Sequence, residues 1–188
     1  AFADRLTTKR VDGLAVRGWF SEDFLLSEIR QLCAVERLPR LRPANTAFDR
    51  QFLIPTFEEV IALAQAAGQR TGRRVGVYPE TKHPSYFERE GFRLDGTRIA
   101  FDLTAKMLDV LAAAGFTDPA RVFLQSFECG NLRRLRRELM PAAGVALSLI
   151  QLLDDEGAPW DLLQSNDPRD YRSLAEPAGL AFIARYAN

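Results

Sequence analysis

The chain has 188 residues, with 25 Lys+Arg against 25 Asp+Glu, 47% apolar residues and 10% aromatics. That much apolar content at formal neutrality excludes a wholly disordered chain and a nucleic-acid binder working through bulk positive charge. Apolar runs such as Val145–Ile150 fall far short of the roughly 20 residues that span a bilayer, and Cys33 and Cys129 have neither disulfide-framework nor metal-ligand spacing.

Residues 1–55 have weak periodicity. Ser27–Leu38 is predicted as a short helix among Leu38-Pro39, Arg42-Pro43 and Ile54-Pro55 breaks, so this region reads as a long, partly ordered connection. At Thr56 the pattern sharpens. Thr56-Phe57-Glu58-Glu59 is a capping box, and Val60, Leu63, Ala64 and Ala67 recur at helical spacing up to Gly68. Val75–Tyr78 is a short apolar run read as a buried strand, followed by a polar loop over 81–96. A second helix is predicted over Ala100–Ala114 with Gly115 as its C-cap, and a second strand over Val122–Phe127. A third helix includes Leu132–Leu139, stopped by Pro141; a third strand covers Gly144–Leu152. Asp154–Asp170 reads as a polar loop and Tyr171–Tyr186 as a fourth helix.

Nearly continuous apolar strands alternating with amphipathic helices imply parallel strands, adjacent and in sequential order. Two architectures fit: a doubly wound sheet, or a (β/α)8 barrel of which this chain would be the middle, since a whole one needs roughly 250 residues. No glycine-rich phosphate loop follows any strand, which lowers the nucleotide-binding option.

The chemistry-bearing segment is Val75-Gly76-Val77-Tyr78-Pro79-Glu80-Thr81-Lys82-His83-Pro84-Ser85. Glu80 and Lys82, two residues apart at a strand's carboxyl end, point to the same side. Glu80 suits a hard cation and Lys82 a phosphate; a solvated ion pair is the plainer reading of the same spacing. Gln125 and Phe127 share a direction at the next strand's carboxyl end, where they either line a pocket or pack; Gln151 is a weaker case of the same kind. Cys129 reads as a buried structural cysteine, Asp154-Asp155-Glu156 as a solvated run, and Arg133, Arg134, Arg136 and Arg137 as a solvated helix face.

The segment Val75–Ser85 resembles the third-strand motif of bacterial glycerophosphodiester phosphodiesterases of the periplasmic type. Phe52–Glu59 resembles the lead into that family's preceding helix, Val122–Phe127 its fourth strand and Leu147–Leu153 its fifth. The resemblance implies a partial (β/α)8 TIM barrel, with about three central strands and flanking helices, in which residues 1–188 are the internal part of a single domain. It implies hydrolysis of a small-molecule glycerophosphodiester to sn-glycerol 3-phosphate and an alcohol, with a divalent metal, Ca²⁺ or Mg²⁺, held by three carboxylates. Glu80 matches the third of these and Lys82 the phosphate-side lysine; Gln125 and Phe127 are the candidate substrate contacts. The family's catalytic histidine pair and its Glu-x-Asp carboxylates lie in first- and second-strand segments with no counterpart here. His83, the chain's one histidine, matches neither catalytic position and is expected to be a loop residue. These departures, with Ala1 in place of a start methionine, lead us to expect an inactive internal fragment with an exposed apolar sheet edge. Family resemblance further implies a periplasmic or secreted protein, with a cytoplasmic one as the alternative. It implies neither a nucleic-acid partner nor a membrane span. The competing reading is a non-catalytic, barrel-derived binding module.

Overall fold

The computed structural model describes residues 2–188. Its first feature is one the sequence analysis did not assign. Thr7–Val11 (β1) and Leu14–Gly18 (β2) form an antiparallel hairpin, with Val11 opposite Leu14. The Asp12-Gly13 turn explains it. Both residues have positive φ, 48° and 76°, as a two-residue type I′ loop requires. Val11 is buried with Tyr86 and Ile99 in a small apolar cluster that seats the hairpin on the segment after residue 80.

The predicted 27–38 helix shrinks to one turn, Leu26–Ile29 (α1). Beyond it the chain doubles back, with Cys33 bridging Leu53 and the Ala34 amide donating to the Phe52 carbonyl at 2.8 Å. A 3₁₀ stretch, Pro43–Phe48, fills the excursion.

Phe57–Thr71 (α2) starts where the capping box places it. Thr56 Oγ1 accepts from the Glu59 amide at 3.3 Å, Glu59 Oε2 accepts from the Thr56 amide at 2.8 Å, and Gly72 closes the helix at φ 66°. The buried face differs from the expected one: Ile61 and Ala64 are buried, whereas Leu63 is 67% exposed. Leu103–Ala113 (α3) is capped by Asp102, whose Oδ1 accepts from the Ala105 amide at 2.9 Å, so the helix begins three residues later than predicted.

Phe123–Ser126 (β3) and Ser148–Gln151 (β4) pair in parallel, with Leu124 opposite Leu149 and Gln125 opposite Ile150. The predicted first strand of this set is an extended segment, 75–80, joined to β3 by two parallel bridges, Val77 to Val122 and Glu80 to Gln125. Val77 N donates to Arg121 O, Phe123 N to Val77 O, Gln125 N to Pro79 O and Thr81 N to Gln125 O. In this alternation residue 79 should donate next to Phe123 O. Pro79 has no amide hydrogen, and its absence splits the pairing into two bridges. The three segments are therefore adjacent, parallel and in chain order, as predicted, in a mixed α/β fold. No closed barrel forms among the described residues.

The 129–142 helix does not stop at Leu139. Cys129–Arg134 (α4) widens into a π-type turn over Leu135–Leu139 and continues as Met140–Ala142 (α5). The wide turn accommodates Pro141, whose ring would clash with the carbonyl four residues back in a regular α-helix. Both loops expected to be irregular hold helical turns: Tyr86–Glu90 in the first and Trp160–Gln164 (α6) in the second. The expected 171–186 helix is broken into Tyr171–Leu174 (α7) and Pro177–Ile183 (α8), because Glu176 before Pro177 takes extended backbone.

Val122 and Leu124 of the β3 strand path and Leu147 and Leu149 of the β4 path bury one sheet face against Leu111, Leu132, Leu135, Leu162 and Leu174 of the helices. The opposite face is open: Tyr78 is 72% and Phe123 38% exposed.

Close strand approach depends on Gly76, where an added Cβ would lie 2.5 Å from the Arg121 carbonyl oxygen. Gly76→Ala is expected to destabilise the chain by about 1–3 kcal/mol in urea unfolding, as overpacking does. Leu63→Ala, at an exposed position, is expected to change stability by no more than about 0.5 kcal/mol. The opposite ranking would contradict the strand register and the helix face described above.

Candidate active site

Strand pairing places Glu80 beside Gln125, and residues paired across parallel strands project to the same face. The Gln125 amide is turned back, Nε2 donating to the Tyr78 carbonyl at 2.5 Å. Thr81, between Glu80 and Lys82, points the other way and is buried. Its Oγ1 accepts from Asn131 Nδ2 at 2.8 Å, and Asn131 Oδ1 accepts from Thr104 Oγ1 at 2.7 Å. This chain of polar contacts anchors the strand end to the α3 and α4 helices, and by alternation it turns Glu80 and Lys82 to the open side. Lys82 is exposed and forms no ion pair among the described residues. Glu80 Oε1 is buried and has no hydrogen-bond partner. An orphaned carboxylate oxygen is costly, and a cation is one group that relieves it. The described residues contain no group of three or more His, Cys, Asp or Glu side chains able to hold a metal. Glu80 thus fits one ligand of a cation and not a complete donor set.

Phe127 does not join this group in the same way. It is half-buried and packs edge-on against Tyr171, ring centroids 5.9 Å apart. Gln151 is occupied structurally, its Nε2 donating to the Phe127 carbonyl at 2.8 Å while its Oε1 accepts from Tyr186 Oη at 2.9 Å. Cys129 is fully buried and burial pushes its thiol up to about 11, which excludes a reactive thiolate at the start of α4.

Two neighbouring carboxylates escaped the sequence reading. His83 is an exposed loop residue, as expected, but it is held: at φ 51° it places Nδ1 2.7 Å from Asp12 Oδ2 on the hairpin turn. The Asp-Gly turn signal would have found the hairpin; nothing local pairs it with His83. The other is Glu128, at the end of β3. It accepts from the Ser85 amide at 3.2 Å and from Ser85 Oγ at 2.5 Å, tying two strand ends together. Burial pushes Glu128 up to about 7, against the lowering effect of those two bonds, and the charges of Asp161 and Asp12 push in the same direction. Asp161 in turn accepts from the Cys129 and Gly130 amides at 3.2 and 2.5 Å. Ser85, Glu128, Arg134 and Asp161 line a cleft of about 390 Å³ between the 84–90 turn, α4 and α6.

The hydrogen bond to Asp12 raises the His83 pKa above its ordinary 6.5. A raised folded-state pKa stabilises the fold fully below the unfolded value, and that contribution is lost as pH rises through the folded one. Being the chain's one histidine, His83 gives a single imidazole NMR titration, expected above 6.5 and expected to fall in Asp12→Asn. A midpoint indifferent to Asp12 would contradict the pairing.

Glu128 carries the same sign. Its folded pKa near 7 lies above the ordinary 4.5, so the carboxyl favours the fold below pH 4.5 and that advantage disappears as pH rises through about 7. Glu128→Gln is expected to remove this dependence, flattening stability between these pH values by on the order of 3 kcal/mol. Unchanged pH dependence in urea unfolding would show that Glu128 ionises as it does in water.

Among curated proteins, a glycerophosphodiester phosphodiesterase of Haemophilus influenzae is 31% identical over 181 residues, 88% of this chain and 47% of that protein. One of Treponema pallidum is 28% identical over 162 residues, 81% of this chain and 40% of that protein. Glycerophosphodiester phosphodiesterase GDPD6 of Arabidopsis thaliana is 31% identical over 139 residues, 70% of this chain and 34% of that protein. No family model matches. The chain thus spans about half the length, or less, of the curated relatives it matches. On this similarity, which covers most of its residues, the chain belongs to the glycerophosphodiester phosphodiesterase family.

Proposed function

We propose that these residues form the central part of a (β/α)8 barrel, in one catalytic domain that hydrolyses glycerophosphodiesters to sn-glycerol 3-phosphate and an alcohol. The observation that carries this is the buried, unpartnered Glu80 Oε1 at the carboxyl end of parallel strands, two residues before an exposed Lys82. That end of a parallel α/β sheet is where such folds build their sites. The relatives' names supply the reaction class; the metal, its identity as Ca²⁺ or Mg²⁺, and a periplasmic or secreted setting rest on the resemblance noted from the motifs. No helix among the described residues is long and apolar enough to cross a membrane.

In this reading Glu80 is one carboxylate ligand of a divalent cation, which supplies Lewis-acid stabilisation of phosphoryl oxygens when bound. Lys82 sets a compact positive charge beside the phosphodiester, matched to the charge that gathers on its non-bridging oxygens in the transition state. Gln125 pairs with Glu80 at the strand end and holds the Tyr78 carbonyl, fixing the platform on which Glu80 stands. Phe127, packed on Tyr171, forms an apolar wall for the glycerol or alcohol moiety. The family's histidine pair and remaining two carboxylates have no counterpart in this sequence, so the 188-residue chain alone is expected to show no turnover.

The test is steady-state hydrolysis of glycerophosphocholine with a divalent-ion titration, in the longest natural form of the protein. Glu80→Gln is expected to weaken ion dependence and lower turnover at least a hundredfold, with partial rescue at high ion concentration. Lys82→Ala is expected to leave ion binding intact and reduce kcat/KM roughly a hundredfold. His83→Ala is expected to do little. A Glu80→Gln variant that titrates and turns over like wild type would make Glu80 a surface carboxylate; loss of activity in His83→Ala alone would move the chemistry to the histidine.

A further inference from the structure

At the opposite end of the strands lies a cavity of about 510 Å³. Arg73 and Arg74 directly precede the 75–80 segment and Arg121 directly precedes Val122, so three arginines line the cavity at the amino ends of two neighbouring parallel strands. We propose that this cavity binds a small phosphorylated anion.

Arg121 is already set in place. Its Nε donates to the Val75 carbonyl at 2.9 Å and its guanidinium lies 4.2 Å over the Phe116 ring, while its two terminal nitrogens have no protein hydrogen-bond partner among the described residues. No carboxylate lies within ion-pair distance of Arg73, Arg74 or Arg121 among the described residues, which is also true of most of the chain's arginines. Asp118 is the one acidic residue in the lining, and its Oδ1 is taken by the Ala120 amide at 2.9 Å. Three like charges around one cavity repel one another. The lining residues, three arginines and one aspartate, carry a net charge of two positive, the complement of a phosphomonoester dianion. Guanidinium forks bind phosphoryl oxygens bidentately. Gln69 adds a neutral amide, while Gln65 spends its own on the Ala114 carbonyl at 3.3 Å. The volume suits a small molecule, and its position puts it out of reach of Glu80 and Lys82.

The experiment titrates the ¹⁵N-labelled full chain with inorganic phosphate at constant ionic strength, following the Arg121 Nε–H and Gln69 side-chain signals. Saturable shifts at these groups are expected, with at least tenfold weaker binding in Arg73→Gln/Arg74→Gln and no change in Lys82→Ala. Phosphate is also expected to raise the melting temperature of the wild type and not of the double variant. Arg121→Gln would also remove packing on Phe116, so the double variant carries the test. Glycerol 3-phosphate is expected to compete for the same signals, and phosphatidylglycerol vesicles to leave the chain in the supernatant. Shifts that do not saturate, or that vanish in Lys82→Ala and persist in the double variant, overturn the proposal. So does vesicle binding without free-phosphate binding, which would make the cluster a lipid-facing patch.

Discussion

Four main-chain hydrogen bonds between residues 77–81 and 121–125 determine where the side chains at these two strand ends stand. They set a register in which Glu80 lies beside Gln125, and they depend on two backbone features. Gly76 allows the close approach to Arg121, and Pro79 interrupts the pairing just before the strand ends. Because side chains alternate, the same register buries Val122 and Leu124 against the helices and leaves Tyr78, Glu80 and Phe123 on the open face. A slip of one residue would exchange these sets, burying Glu80 in an apolar core.

Polar tethers then hold the loops that follow the strands. Thr81 is tied through Asn131 to Thr104, Ser85 to Glu128, and His83 to Asp12. These join the strand end to two helices, to the neighbouring strand and to the hairpin. The first tether is uncharged and insensitive to pH. The other two contain an imidazole whose pKa its bond to Asp12 raises and a carboxyl that burial pushes up to about 7, so the outer part of the site is the part whose anchoring changes with protonation. A buried Glu128 neutral below pH 7 beside an imidazolium held by Asp12 is a different electrostatic surface from the one above it.

Much of this was legible in the sequence where a local rule has a single outcome. The Thr56–Glu59 capping box, the apolar strand runs and the Glu80–Lys82 alternation each specify structure through neighbours within four residues. The hairpin was legible too, through Asp12-Gly13 between two alternating runs, and weak hydrophobicity concealed it: Val16 and Leu14 of β2 face solvent. What could not be read depends on distant contacts. Pro141 is a helix breaker by rule, yet a π-type turn accommodates it. Leu63 belongs to the apolar repeat of α2, but the helix settles with Ile61 inward. The pairing of Asp12 with His83 and of Ser85 with Glu128 spans 71 and 43 residues, and no spacing rule reaches so far.

Glu80, with its unpartnered Oε1 at the strand end, is the residue proposed as a cation ligand. Paramagnetic broadening by substoichiometric Mn²⁺ on the ¹⁵N-labelled chain tests it most directly, since relaxation falls steeply with distance from the ion. The amides of Glu80, Thr81 and Gln125 are expected to broaden first, and to recover their intensity in Glu80→Gln. Broadening centred on the exposed Asp154-Asp155-Glu156 run, with the Glu80 amide untouched, would contradict it.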